Sequence, residues 1–181
     1  MSSEPRPQDG AAEQFEELFA RYERKVFNLL LRLVGDYEDA ADLTSETFVR
    51  ALRAADRFRG EAHPYTWLYR IAVNLAKNHF RSKAVRREAS VEEDSYSEPT
   101  PQPPSTEALV QQRELQKEVE RALLSLPPES RLLILLRDVQ GLTYQEIAEV
   151  TDSTPDLVKS RLFRARTTLR QKLAPYMLPE A

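Results

Sequence analysis

The sequence predicts an all-α protein, and three observations predict it. Apolar residues recur at three- and four-residue intervals along almost the whole chain, the period of a helix face rather than of a strand. No stretch alternates apolar and polar residues convincingly, and only 4 glycines interrupt 181 residues. Helix start and stop signals fall where the period begins and ends. The same pattern splits the chain into two small helical domains, residues 10–83 and 107–176, joined by an acidic, proline-rich, flexible linker over 84–106. Residues 1–9 are expected to be disordered and 177–181 to form a tail.

The first helix carries a stripe of Phe15, Leu18, Phe19, Tyr22, Val26, Leu29, Leu30 and Leu33, and Gly35 is placed to end it as a C-cap. Asp36 or Asp39 starts the second, whose stripe is Ala40, Leu43, Thr44, Thr47, Phe48, Ala51 and Leu52. A loop from Arg59 to Pro64 leads into a third helix, from about Tyr65 to Arg81. The pattern then fails: Glu88, Glu92, Glu93, Asp94 and Glu98 are followed by Pro99, Pro101, Pro103 and Pro104, a composition that stays extended or flexible. Helical period resumes at Leu109, Leu115, Val119, Ala122 and Leu123, breaks at Pro127-Pro128, and returns in an apolar helix from Arg131 to Val139. Thr143-Tyr144-Gln145-Glu146 has the form of a capping box. Thr154 then serves as N-cap and Pro155 as first residue of a last helix. Two helices across so short a turn read as a helix-turn-helix.

Composition limits the function. The absence of Cys excludes a disulfide scaffold and thiolate metal sites and fits a reducing compartment. No apolar run approaches the roughly 20 residues that span a bilayer, and Met1 to Gly10 lacks a signal-peptide core, so a soluble cytoplasmic protein is expected. Net charge is -3, but the charges are segregated. Residues 50–87 hold 10 Lys/Arg against 2 Asp/Glu, and residues 159–181 hold 6 against 1, while residues 1–49 and 88–158 are acidic. Two basic blocks are the footprint of nucleic-acid contact; the alternative is two solvated helix faces.

The last helix has two faces on a 100° wheel. Val158, Leu162, Ala165, Leu169 and Leu173 turn toward the domain. Ser160, Phe163, Arg164 and Thr167 lie opposite, flanked by Lys159, Arg166 and Arg170. An exposed Phe among cations suits a major groove, where it touches a thymine methyl while Arg or Lys bonds guanine. Lys159, Ser160, Phe163 and Arg164 are placed for base edges, Arg166 and Arg170 for phosphates. The alternative is a basic amphipathic helix that binds a protein or a membrane surface. The third helix sets Leu68, Ile71, Ala72 and Leu75 on its core face and Trp67, Arg70, Asn74, Lys77, Asn78 and Arg81 on another. An aromatic ring with amides and cations suits single-stranded DNA, and the preceding loop with Arg59 and His63 is placed to shape a pocket for a flipped base. The alternative for Trp67, the single Trp, is a core position.

Four segments together carry a family resemblance. Phe58-Arg-Gly-Glu-Ala-His-Pro-Tyr-Thr-Trp-Leu-Tyr-Arg-Ile-Ala-Val-Asn74 resembles the second conserved region of extracytoplasmic-function (ECF) sigma factors of the sigma-70 family, and Asp42 to Leu52 resembles their core-polymerase-binding helix. Leu126-Pro127 with Gly141 to Glu149, and Val158 to Arg166, resemble their fourth region. The match runs from about 15 to 174 in the family's order, and Tyr65 to Ala72 is most similar to the sigma-E-like group.

The resemblance implies roles. Asp39, Asp42, Glu46 and Phe48 would bind the clamp helices of the polymerase β′ subunit. The 59–67 loop with Asn74 and Asn78 would melt and read the −10 element. Lys159, Ser160, Phe163 and Arg164 would read the −35 element, with the C-terminal domain also against the β flap. Core RNA polymerase, promoter DNA and an anti-sigma factor are the implied partners, the last often membrane-anchored in the sigma-E-like group. No cofactor, metal or direct membrane insertion is expected. An enzyme is not expected either, because His63 and His79 have no carboxylate at metal or triad spacing and no Gly-rich phosphate loop is present. The rival reading is a stand-alone helix-turn-helix regulator working without polymerase. One departure concerns the turn: Asp152 stands where the family has a Gly that adopts φ > 0, a conformation Asp tolerates. Ser153 replaces an apolar anchor, which predicts a looser turn.

Overall fold

The computed structural model describes residues 7–55, 63–89 and 107–177, with side chains described over 16–55, 63–86 and 113–176. Among the described residues the secondary structure is wholly helical: α1 (Pro7–Val34), α2 (Tyr37–Ala54), α3 (Pro64–Ala89), α4 (Glu107–Leu124), α5 (Pro128–Ile134) continued by a π turn (Leu135–Val139), α6 (Tyr144–Thr151) and α7 (Pro155–Met177). The N-terminal segment expected to be disordered lies outside the described residues up to 6, and residues 7–9 open α1. The 56–62 loop and the 90–106 stretch also lie outside the described residues.

The first three helices form one packed unit because each contributes one apolar arc. Val26, Leu29, Leu30 and Leu33 of α1 are buried. Gly35 then stops the helix at φ +81, with its N–H on the Leu31 carbonyl at 2.8 Å. Asp36 caps α2 by accepting from the Asp39 N–H at 2.8 Å. Thr44 and Thr47 are buried in α2 because each hydroxyl donates back to a carbonyl one turn earlier, at 2.7 and 2.6 Å. Leu52, expected in that stripe, is exposed: it sits at the edge of the arc in the last turn, where no neighbour covers it. In α3 the buried arc is Leu68, Tyr69, Ala72, Val73, Leu75 and Ala76. This helix runs eight residues past its expected end at Arg81, to Ala89, because Lys83, Ala84, Arg86 and Arg87 favour helix and no Gly or Pro intervenes.

The second unit is built around α5. Pro128 opens it, and Arg131, Leu132, Leu133, Ile134, Leu135 and Leu136 are all buried, so this short helix is enclosed on every side. Its last turn widens to π geometry, with the Gln140 N–H reaching back to Leu135 at 2.9 Å. The α4 stripe is shorter than its period implied: Ala122 and Leu123 are buried, but Leu115 is exposed, since the helix meets the core in its final turns.

The two units share one apolar cluster, running from Val26 and Leu30 through Val73 to Leu135, Ile147 and Leu162. α1 packs on α4 and α5, and α3 packs on α6. Arg131 pins the first contact. It is 6 % exposed and has no carboxylate partner among the described residues. Its guanidinium instead donates to the carbonyls of Leu123, Leu124 and Leu126 in its own unit and of Leu33 in the other. The Leu33, Leu123 and Leu124 carbonyls belong to the last turns of α1 and α4, where the helix supplies no further donor, and Leu126 lies in the connection between α4 and α5. Burial lowers the Arg131 pKa. A Cβ on Gly35 would stand 2.8 Å from Leu124 Cδ2, so a side chain there would have to displace that methyl as well as adopt a positive φ.

Candidate nucleic-acid interface

The helix-turn-helix is held by local bonds that the sequence specifies. Thr143 Oγ1 accepts from the Glu146 N–H at 3.2 Å, and Glu146 Oε2 accepts from the Thr143 N–H at 2.7 Å, a complete capping box at the start of α6. Asp152 ends α6 in the left-handed conformation, φ 58 and ψ 51. Ser153, expected to loosen the turn, is half-buried; its N–H bonds the Ala148 carbonyl at 2.9 Å, and its hydroxyl lies 2.8 Å from that of Thr151. A polar pair thus replaces the missing apolar anchor. Thr154 caps α7 by accepting from the Leu157 N–H at 3.3 Å.

On α7, Val158, Leu162 and Ala165 are buried, and Leu169 and Leu173 are half-buried. That seating turns the other side outward. Lys159, Ser160, Phe163, Arg164 and Arg170 are exposed, and the Phe163 ring is 73 % exposed, the most of any large apolar residue described. They border a groove of about 740 Å³. Arg164 Nη2 donates to Ser160 Oγ one turn earlier at 3.0 Å, so these two side chains lie side by side on the exposed face. Arg166 is half-buried on the same side and differs from its neighbours. Its Nε donates to Asp138 Oδ2 at 3.1 Å and its Nη2 to Asp138 Oδ1, a two-point ion pair. These hydrogen bonds to Asp138 raise the Arg166 pKa.

α3 presents Arg70, Asn74, Asn78 and Arg81 to solvent, with Trp67 and Lys77 half-buried; the Trp67 ring packs against the core at its edge. His63 stacks on Tyr65 with ring centres 5.5 Å apart and planes 8° apart. Arg59 lies outside the described residues. Part of this face is covered by α6 and its flanking turns. Tyr65 donates to Glu146, and Tyr69 donates to Gln140 Oε1 at 2.7 Å. Arg70 approaches Asp152 at 3.4 Å, and Lys77 approaches the Thr151 carbonyl at 3.4 Å. Burial, with the neighbouring Tyr22 and Tyr65 hydroxyls, pushes the Tyr69 pKa up to about 12. The bond to Glu146, with burial, raises that of Tyr65. Burial alone would raise the Glu146 carboxyl, but hydrogen bonds from Tyr65 and Thr143 outweigh it and hold the pKa below its ordinary value.

The third surface is the outer side of α2. Asp42 is exposed; Glu46 pairs with Arg50 at 2.7 Å, and Asp39 Oδ2 lies 3.3 Å from His79 Nε2. Phe48 is the correction here. It is 4 % exposed, edge-on to Phe19 at 4.7 Å between ring centres, because the apolar arc of α2 turns it inward. It supports the acidic surface from behind and is not part of it.

Several residues at these surfaces escaped the sequence reading. Tyr65 and Tyr69 are spaced to share a face of α3, but nothing local says that α6 will cover them. Glu146 shows its capping role in the sequence and hides its second one. Arg131 and Asp138 read as ordinary charges flanking an apolar run. Among the described residues no group of His, Cys, Asp and Glu is arranged to hold a metal ion, and no helix is long and apolar enough to cross a membrane.

Residues 18–86 match the family model for sigma-70 region 2, and residues 116–169 match that for sigma-70 region 4. The ECF RNA polymerase sigma-E factor of Escherichia coli K12 is 39 % identical over 176 residues, covering 94 % of this chain and 92 % of that one. The RNA polymerase sigma-H factor of Pseudomonas aeruginosa is 34 % identical over 178 residues, covering 95 % and 92 %. Among solved structures, the sigma factor RpoE from Bartonella quintana, crystallised with the anti-sigma factor NepR, has the same fold. Its TM-score is 0.75 at 21 % identity, over 90 % of this chain and 98 % of that one.

Proposed function

We propose a mechanism from one premise: this chain belongs to the sigma-70 family and is an ECF sigma factor. It binds bacterial core RNA polymerase and directs promoter-specific initiation, as a specificity subunit with no chemistry of its own. The −35 duplex is read by α7, with Lys159, Ser160, Phe163 and Arg164 at base edges and Arg170 on a phosphate. The −10 element is opened and held by α3 and the loop before it. Trp67 offers a ring for stacking, Asn74 and Asn78 offer amides to base edges, and Arg70, Lys77 and Arg81 with Arg59 and His63 neutralise the strand. Asp39, Asp42 and Glu46 on α2 form the acidic surface for the polymerase β′ clamp helices, and the second unit rests on the β flap. An anti-sigma factor is a further partner, because a protein that covers either basic face silences the chain.

The observation that carries this reading is the Phe163 ring, 73 % exposed between Lys159, Arg164 and Arg170 on the second helix of a helix-turn-helix. A solvated face has no use for it; a groove containing thymine methyls does. The positions named −10 and −35 lie about 25 base pairs apart, roughly 85 Å at 3.4 Å per base pair. α3 here packs directly on α6. The two units therefore separate when both elements are engaged.

Run-off transcription with purified bacterial core polymerase, on a library of promoter fragments, tests this. The expected result is a set of transcripts that require the protein and share a −35 and −10 pair. Duplex binding by the protein alone, with no dependent transcript, would favour the stand-alone regulator.

A further inference from the structure

Arg166 is the one cation of the reading face already committed to an acid. Lys159, Phe163, Arg166 and Arg170 fall at i, i+4, i+7 and i+11 on α7, a single stripe along the groove. Neither Lys159 nor Arg170 has a carboxylate partner among the described residues. Arg161, off this stripe, lies 3.9 Å from Glu129, with both side chains largely in solvent. Arg166 by contrast is gripped at two points by Asp138, and the two side chains are 41 % and 37 % exposed. Asp138 comes from the π turn that ends α5, a wide turn that shifts the register just where this carboxylate is delivered. Such short helical irregularities commonly mark function rather than stability. Tyr144 stands beside the pair, with Arg137 stacked over its ring at 4.9 Å and bonded to the Leu142 carbonyl at 2.7 Å.

We propose that Asp138 is a positioning residue for promoter discrimination: it fixes and neutralises Arg166, so that this arginine adds sequence-independent affinity for no phosphate. A free arginine at this place binds any backbone, and each phosphate neutralised steepens the salt dependence of binding by about 0.9 in log–log slope. That raises affinity for every sequence alike and lowers the ratio of specific to non-specific binding. A guanidinium held by Asp138 is subtracted from that count although it lines the groove. Asp138 thereby sets how much of the α7 charge is indiscriminate. This rests on α7 being the −35 reader.

The test uses the full chain bound to core polymerase on two templates, one with the upstream element intact and one with it scrambled, between 50 and 200 mM salt. Asp138→Asn is expected to raise binding to the scrambled template. Its affinity should then fall about three-fold more than the parent's across that salt range, the share of one added phosphate contact. The intact-to-scrambled ratio of transcripts should drop. Asp138→Glu should restore the ratio. Arg166→Gln should leave the salt slope unchanged, whereas Arg170→Gln should lower it by about 1. The double variant Asp138→Asn/Arg166→Gln should return to the parent's slope, which separates release of Arg166 from any loosening of the fold. If Arg166→Gln lowers the slope as much as Arg170→Gln, Arg166 already counts as a free cation and the proposal is overturned. An unchanged slope and ratio in Asp138→Asn would likewise reduce Asp138 to a brace between α5 and α7. If Arg164→Ala and Arg170→Gln also change nothing, the −35 reading of α7 is what has failed.

Discussion

α3 and α7 carry the two faces proposed for nucleic acid, and they are presented in opposite ways. α7 stands open, with its apolar edge in the core and Lys159, Ser160, Phe163, Arg164 and Arg170 in solvent. α3 is half-covered, with Tyr65, Tyr69, Arg70 and Lys77 in contact with Glu146, Gln140, Asp152 and the Thr151 carbonyl. The covering groups are acids, an amide and a carbonyl, which are the kinds of acceptor that a DNA strand offers. On the proposed roles, the duplex reader is ready as it stands, while the single-strand reader must be uncovered. The larger tie between the units lies elsewhere, in Arg131 and the apolar packing of α1 on α4 and α5.

The sharpest break of this contrast is on α7, where neighbouring residues have opposite fates. Leu162 is 1 % exposed and Phe163 is 73 % exposed. Leu162→Asp puts a charge into the core and should cost about 4 kcal/mol or more, enough to unfold the second unit. Phe163→Ala should change stability by less than about 0.5 kcal/mol and still weaken recognition of the upstream element. Thermal melts of both variants check the first claim, and transcription from the two templates checks the second. A large stability loss in Phe163→Ala would mean that its ring packs on the protein after all.

The covered face of α3 predicts an effect of alkali. Tyr69 titrates at about 12 when folded, against 10 for an ordinary tyrosine. The unfolded chain therefore gives up this proton first as pH rises, and folding loses its advantage between the two values. The sign is a stability fully present below pH 10 and lost toward pH 12, by about 3 kcal/mol at most. Urea titrations at rising pH should show this slope, and Tyr69→Phe should flatten it. An equal slope in that variant would transfer the effect to other tyrosines. On the exposed face of α7 the expected effect is on binding instead: Arg164→Ala should weaken upstream recognition by about 1–3 kcal/mol with the fold intact.

The contrast also separates what the sequence carries from what it hides. Helix number, the capping box of Thr143 and Glu146 and the outward Phe163 were legible because each follows from spacing within one helix or turn, whereas the left-handed Asp152 followed from the resemblance to the family's turn. Two of the misplacements have a common cause. Leu52 and Leu115 lie on expected apolar arcs, and whether such a residue is inside depends on which neighbour arrives there; Phe48 was on the α2 stripe by its period, and only the binding role implied by the resemblance set it at the surface. The contacts of Tyr69 with Gln140 and of Arg131 with Leu33 span 71 and 98 residues, and no local pattern encodes them. Asp138 was hidden by the π turn, because a wheel drawn at 100° per residue misplaces everything after a wide turn.

The smallest expected effect falls where the turn between α6 and α7 meets α3. Asp152 does two things at once: it ends α6 at φ 58, and it approaches Arg70 of α3 at 3.4 Å. Asp152→Gly acts on them in opposite directions. Glycine adopts the left-handed conformation without steric cost, which favours the turn. The lost carboxylate removes an exposed ion pair, and such pairs contribute about 0–1 kcal/mol. The net change in stability should stay within about 1 kcal/mol of zero. The cycle with Arg70→Ala isolates the pair, because the turn term is the same with either residue at 70. A coupling energy above about 1 kcal/mol would mean that this contact is an anchor of the covered state, and α3 would then be held shut at its solvent edge as well as beneath Tyr69.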